Sequence, residues 1–142
     1  MRAWAAALPL ALVAGCSTAV SGTPVGPDDA GLVRAYFTAL DRAADQGPEA
    51  QTGFWRTTQH PDFTDLLCDL EGATVDADPS MATLRQDQTW APQGRGRPRG
   101  TVYVVAVLLS VRKNGQAMGQ QTGSERIVVL DGSAYGFMPC LR

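Results

Sequence analysis

The chain has 142 residues, with 12 Lys+Arg against 14 Asp+Glu and a formal net charge of −2, a balance that speaks against a nucleic-acid binder. With 44% hydrophobic and 18% charged residues it reads as a folding chain rather than a disordered one. Its length suits one domain with one core.

The N-terminus carries an export pattern. Arg2 supplies a positive start, residues 3–14 form a short apolar run broken only by Pro9, and the small residues Ala14 and Gly15 precede Cys16. Charge, apolar length and small-residue exit are those of a secretory signal. The run is shorter than the ~20 residues a transmembrane helix needs. The predicted division is a signal over 1–15, Cys16 with a flexible spacer over 16–27, and a folded domain over 28–142. Without Arg2 the remaining 127 residues carry 11 basic against 14 acidic side chains, a balance of −3.

The spacer reads STAVSGTPVGP over residues 17–27, small, polar and aperiodic. Pro27-Asp28-Asp29 predicts a helix start capped by aspartate. Leu32, Val33, Tyr36, Phe37, Leu40, Ala43 and Ala44 then recur at helical spacing, with Arg34, Asp41, Arg42 and Asp45 on the other face. Gly47-Pro48 closes this helix, and Pro48 opens a shorter second one that buries Phe54 and Trp55. After His60-Pro61, the spacing of Phe63, Leu66, Leu67 and Leu70 predicts a third helix ending at Gly72 and carrying Cys68. His60 is the only histidine. It lies before a proline with no nucleophile placed beside it, so it reads as a solvated or capping residue.

From residue 73 the period changes. Residues 81–90 predict a strand with Leu84 and Trp90 on one face. Residues 91–100, APQGRGRPRG, predict a loop whose Arg95, Arg97 and Arg99 form a local positive patch, either an anion site or a solvated tip. Residues 101–111, TVYVVAVLLSV, are apolar at both parities and predict a central strand covered on both faces. Helices would cover one face, and the other would need a cavity wall, a second subunit or a partner. Asn114-Gly115 predicts a type I′ hairpin turn into a return strand over 116–130, and Asp131-Gly132 a second tight turn into a last strand over 134–140. In an exported chain, the two cysteines besides Cys16 are expected to pair as Cys68–Cys140, with free thiols or a metal pair as rivals.

The end of the apolar run, Leu12-Val13-Ala14-Gly15-Cys16, resembles the lipobox of bacterial lipoproteins. That resemblance implies thioether attachment of lipid to the Cys16 thiol and a mature chain held on the outer face of the cytoplasmic membrane. Two or three chains, at about 0.8 kcal/mol per buried methylene, anchor stably where one does not. The Arg-, Ala- and Gly-rich usage is that of a GC-rich genome. The lipobox, the helix over 29–46, the long strand over 101–111 and the ending VVLDGSAYGFMPC together resemble small actinobacterial, mycobacterial-type envelope lipoproteins. Their α+β domain, in the NTF2-like or cystatin-like manner, packs N-terminal helices on a curved antiparallel sheet as a cone.

The resemblance implies a cavity in that cone, for which Tyr36, Trp55, Trp90 and Tyr103 are candidate lining residues. The strand over 101–111, apolar on both faces, points to a non-enzymatic module binding a small apolar ligand or an envelope protein, with no cofactor, no metal and no nucleic acid expected. The alternatives are an isomerase- or hydrolase-type enzyme using Asp87, Tyr103 and His60, and a small lipid carrier. The strands offer no evident acid–base pair, which favours the binding module.

Overall fold

The computed structural model describes residues 23–140. The signal, Cys16 and the first part of the spacer lie outside these residues. Helix α1 (Pro27–Asp45) starts as its sequence directs: Pro27 occupies the first turn, where a missing N–H costs nothing, and Asp28 and Asp29 follow at the positive end of the dipole. The cap itself is Gly26, which has no side chain to cap the turn, in place of the expected aspartate; the Asp29 carboxylate instead accepts from the Tyr103 hydroxyl. Val33, Tyr36, Phe37, Leu40 and Ala44 are its buried face. Gly47, at φ 110°, makes the corner into α2 (Pro48–Thr58), which buries Gln51 and Trp55, one turn apart.

The sheet is a four-stranded antiparallel meander, β1 (Ala73–Gln86), β2 (Thr101–Lys113), β3 (Gln116–Leu130) and β4 (Ser133–Tyr135), in that spatial order. The β2–β3 and β3–β4 turns place Asn114-Gly115 and Asp131-Gly132 at positive φ, as the type I′ geometry requires. Helices pack on one face of an open antiparallel sheet, so the fold is α+β. Tyr103, Val105 and Val107 of β2 join Val33, Phe37, Trp55 and Ile127 in this core.

The opposite face of β2 is covered over only half its length. Val102 and Val104, with Val128 of β3, are buried there as well. Over them returns the loop 87–100: Asp87 and Trp90 meet Arg126, which shares the Val104 face, and Pro92 and Pro98 are buried. The chain therefore supplies this cover itself, and no second subunit is needed for it. Farther along, Leu108 is exposed, and residues 116–122 of β3 are exposed throughout.

Three elements differ from the sequence reading. β1 begins at Ala73 rather than at residue 81, and Trp90 falls in the loop beyond it. Its first half alternates Ala73, Val75 and Ala77 inward with polar residues outward, at too low a hydropathy to stand out. The predicted third helix is a 3-10 turn, Pro61–Leu66. Phe63 is already non-helical and Leu67 is extended, so Cys68 sits on an extended segment; Phe63 and Leu70 alone of the four apolar residues are buried. The last strand stops at Tyr135. Beyond it Gly136 bridges Gln59, the Met138 N–H donates to the Gln59 side chain (2.9 Å), and Pro139 has no N–H to give. The Cys68 and Cys140 sulfurs stand at bonding separation, with Cα atoms 5.8 Å apart, within the range of a disulfide. This bridge ties the C-terminal segment to the stretch after the 3-10 turn.

The outer edge of β1 is closed by helix side chains. The Gln51 amide donates to the Val75 carbonyl (2.6 Å) and accepts from the Val75 N–H (2.9 Å), imitating a neighbouring strand. Asp41, expected on the solvent face, is half-buried and accepts from the Ala77 N–H (2.8 Å). Gln51→Leu strands the Val75 N–H and carbonyl inside the protein. Urea unfolding is expected to show a loss of about 2–4 kcal/mol for Gln51→Leu, against under about 0.5 kcal/mol for the exposed Thr57→Ala.

Candidate functional site

The space between helices and sheet is where a ligand or a reaction would be held. It is filled. The cavity there has a volume of about 10 Å³, room for one water at most, and Tyr36, Phe37, Leu40, Trp55 and Ile127 line it. Of the four candidate lining residues, Tyr36 and Trp55 are there. Tyr103 is buried in the same core, but its hydroxyl is spent on Asp29 at the start of α1. Burial and that carboxylate push the Tyr103 phenol up to about 12, and its hydroxyl ties β2 to the start of α1. Trp90 is on the other side of the sheet, edge-on to Phe137 (4.8 Å) and beneath the Arg126 guanidinium.

One titratable residue in this interior has no counterpart in the sequence reading. Glu125 is opposite Val105 in the β2–β3 register and lines the cavity beside Tyr36 and Leu109. Burial pushes its carboxyl up to about 7, while the adjacent Arg126 guanidinium pulls it down. Burial likewise raises the Tyr36 phenol, which packs so closely on Gly136 that a methyl group there would collide with its hydroxyl. The signal for Glu125 was available: it precedes Ile127 by two residues and so shares its inward face.

Asp87, Tyr103 and His60 do not converge. Asp87 pairs with Arg126 (3.3 Å) on the outer face. His60 is wholly buried on that side, within a cluster made with Phe63, Tyr135 and Phe137, and lies parallel to the Phe137 ring. Its Nε2 donates to the Arg99 carbonyl (2.9 Å) and its Nδ1 accepts from the Asp62 N–H (3.2 Å), which caps the 3-10 turn. Both ring nitrogens are thus committed to backbone groups, and the histidine is a buried cap rather than a solvated one.

The arginine loop is also tied down. Arg95 pairs with Asp65 (2.6 Å) and lies over the Phe63 ring, and Arg99 pairs with Asp62 (2.7 Å). Each guanidinium holds its partner's carboxyl below the usual carboxylate range. Of the three, Arg97 alone has no ion-pair partner among the described residues, so the loop presents one unpaired guanidinium and not a cluster of three. A surface hollow of about 430 Å³ lies beside the disulfide, lined by Thr52, Arg56, Leu67, Asp69 and Met138, with no hydrogen bond between its charged groups. Among the described residues, no three His, Cys, Asp or Glu side chains group as metal ligands, and no helix is long and apolar enough to cross a membrane.

No protein-family model matches this chain, and no curated protein or solved structure does.

The Glu125 carboxyl has a checkable effect on stability. The folded state holds its proton up to about pH 7, whereas an unfolded glutamate releases it near 4.5. Between these values the unfolded chain binds fewer protons, so the stabilisation from this residue is full below the lower value and is lost as pH rises through the upper one. Burial raises Asp41 too, so the wild-type profile sums both residues and the comparison must be with a Glu125 variant. Glu125→Gln is expected to match wild type near pH 4.5 and to exceed it by about 1–2 kcal/mol at pH 8, a figure discounted for the partly exposed carboxylate. Denaturant unfolding at the two pH values measures the difference.

Proposed function

We propose that the chain is an exported lipoprotein of the cell envelope, acylated at Cys16 and held on the outer face of the membrane. Its domain works as a non-catalytic module that binds a protein partner through its surface. The reading takes its location from the export pattern and lipobox resemblance at the N-terminus. The cysteine pair fits an oxidising compartment. The observation that carries the binding role is the filled interior, about 10 Å³ where a small-molecule site has several hundred.

A lipid carrier needs far more room than that. An enzyme of the isomerase or hydrolase type needs titratable groups facing a space that admits a substrate; Glu125 and Tyr36 share the interior, but about 10 Å³ admits none, and His60, Asp87 and Tyr103 are each committed elsewhere. The NTF2-like resemblance belongs to this proposal as an architecture whose cone is packed instead of open.

Expressed in an actinobacterial host, the wild-type chain is expected to pellet with membranes and to begin at a diacylglycerol-modified Cys16 by intact-mass measurement. Cys16→Ser is expected to shift it to the soluble fraction. Crosslinking on intact cells is expected to recover a defined protein partner from wild type. An unmodified chain that pellets equally with and without the thiol overturns the anchoring, and the absence of any crosslinked protein overturns the binding role.

A further inference from the structure

The two edges of the sheet are treated in opposite ways. On β1, Gln51 bonds both outward groups of Val75, Asp41 accepts from the outward N–H of Ala77, and Pro79 removes a third donor. On the other side β4 pairs only with Val128, Val129 and Leu130 of β3. Among the described residues nothing pairs with the outward backbone of residues 116–124. That stretch, QAMGQQTGS, has no charge, no proline and no covering helix, the devices that protect edges from strand addition.

Its side chains describe what would lie beside it. Gly119 and Gly123 face Val111 and Val107 in the register, and a Cβ at either glycine would meet nothing within 4 Å. Opposite Val111 and Val107 β3 offers no side chain, and between the two glycines only Gln121, facing Leu109, stands on this face; Leu109 and Val111 are half-buried there. Glu125, the next β3 residue on this face after Gly123, stands at the head of the strip with no hydrogen-bond partner within the described residues. The strip therefore has an apolar floor, two empty side-chain positions separated by Gln121, and an acid at its end.

We propose that residues 116–124 form a strand-addition site for an extended segment of a partner protein, carrying bulky apolar side chains at alternate positions and a basic residue that meets Glu125. Backbone hydrogen bonds along the edge supply attachment, and the two glycine positions and the carboxylate supply selection. A second copy of the same edge fits less well: apart from Met118 and Ala117 it offers glycine, glutamine, serine and threonine, which leave the floor bare. The proposal rests on the partner-binding reading above and names its site.

The test uses the full-length chain purified in detergent. The probes are synthetic eight-residue peptides alternating leucine and threonine, ending in lysine or in glutamate, and an alternately N-methylated version that cannot donate along one edge. The lysine peptide is expected to slow amide exchange across residues 116–124, to bind at least five-fold tighter than the glutamate peptide, and to lose that preference in Glu125→Gln. The N-methylated peptide is expected not to bind. Gly119→Val/Gly123→Val fills the two open positions at ordinary strand φ, keeps the fold by circular dichroism, and is expected to weaken the lysine peptide at least ten-fold. Binding unchanged in the double variant, no protection by any peptide, or concentration-dependent self-association protecting the same amides each overturns the proposal, the last by making a second copy the occupant. If the double variant still crosslinks the wild-type partner on cells, the edge assignment falls while the partner-binding role stands. If wild type itself crosslinks nothing, that role falls too.

Discussion

A single side-chain amide fixes how the two layers of this protein sit on each other. Gln51 is fully buried and exchanges two hydrogen bonds with the Val75 peptide, so α2 is held to β1 by the geometry one strand uses toward the next. Apolar contact alone is non-directional and would tolerate a slide of the helix along the sheet. A buried amide does not, because any slide strands a donor and an acceptor where water cannot reach them. Asp41 supplies half of the same device from α1, accepting from the Ala77 N–H, and the two together set the register of the helical layer.

The same accounting explains the far side of the sheet. Gln59 bonds the Phe63 carbonyl and the Met138 N–H, and His60 bonds the Arg99 carbonyl and the Asp62 N–H. These neighbouring residues join four segments that lack regular pairing: the 3-10 turn, the loop 87–100, the end of α2 and the C-terminal stretch. Around them Phe63, Trp90 and Phe137 form a second, smaller apolar cluster, with Arg95 and Arg126 over its rings. The molecule thus has a main core between helices and sheet and a lesser one roofed by a loop. The sheet is left uncovered only where neither reaches.

Helices α1 and α2 could be read from the chain because their apolar spacing and their Pro and Gly boundaries agree. The two tight turns could be read because Asn-Gly and Asp-Gly have few other uses. The start of β1 could not, since Ala73, Val75 and Ala77 alternate with polar residues but contribute little hydropathy, and Pro79 discourages a strand. The stretch after His60 has helical spacing, yet the histidine cap, the pairing of Cys68 with Cys140 and the turn at Glu71-Gly72 cut it to a 3-10 turn. The arginine loop read as a positive patch because the carboxylates that neutralise it, Asp62 and Asp65, lie 37 and 30 residues upstream. The interior glutamate shares its parity with Ile127, but a lone acid in a polar strand reads as solvent-facing until the register places it opposite Val105.

The bond between the Tyr103 hydroxyl and Asp29 has a mechanical side. Tension arriving along the backbone from before Pro27 reaches the first turn of α1, where this bond joins the helix to the middle of the sheet. Strand β2 is laddered on both flanks, to β1 and to β3, so tension passed to it is shared across several rows of peptide groups. The first helix is thereby guarded against being peeled away end-first when the chain is tugged from its leading side.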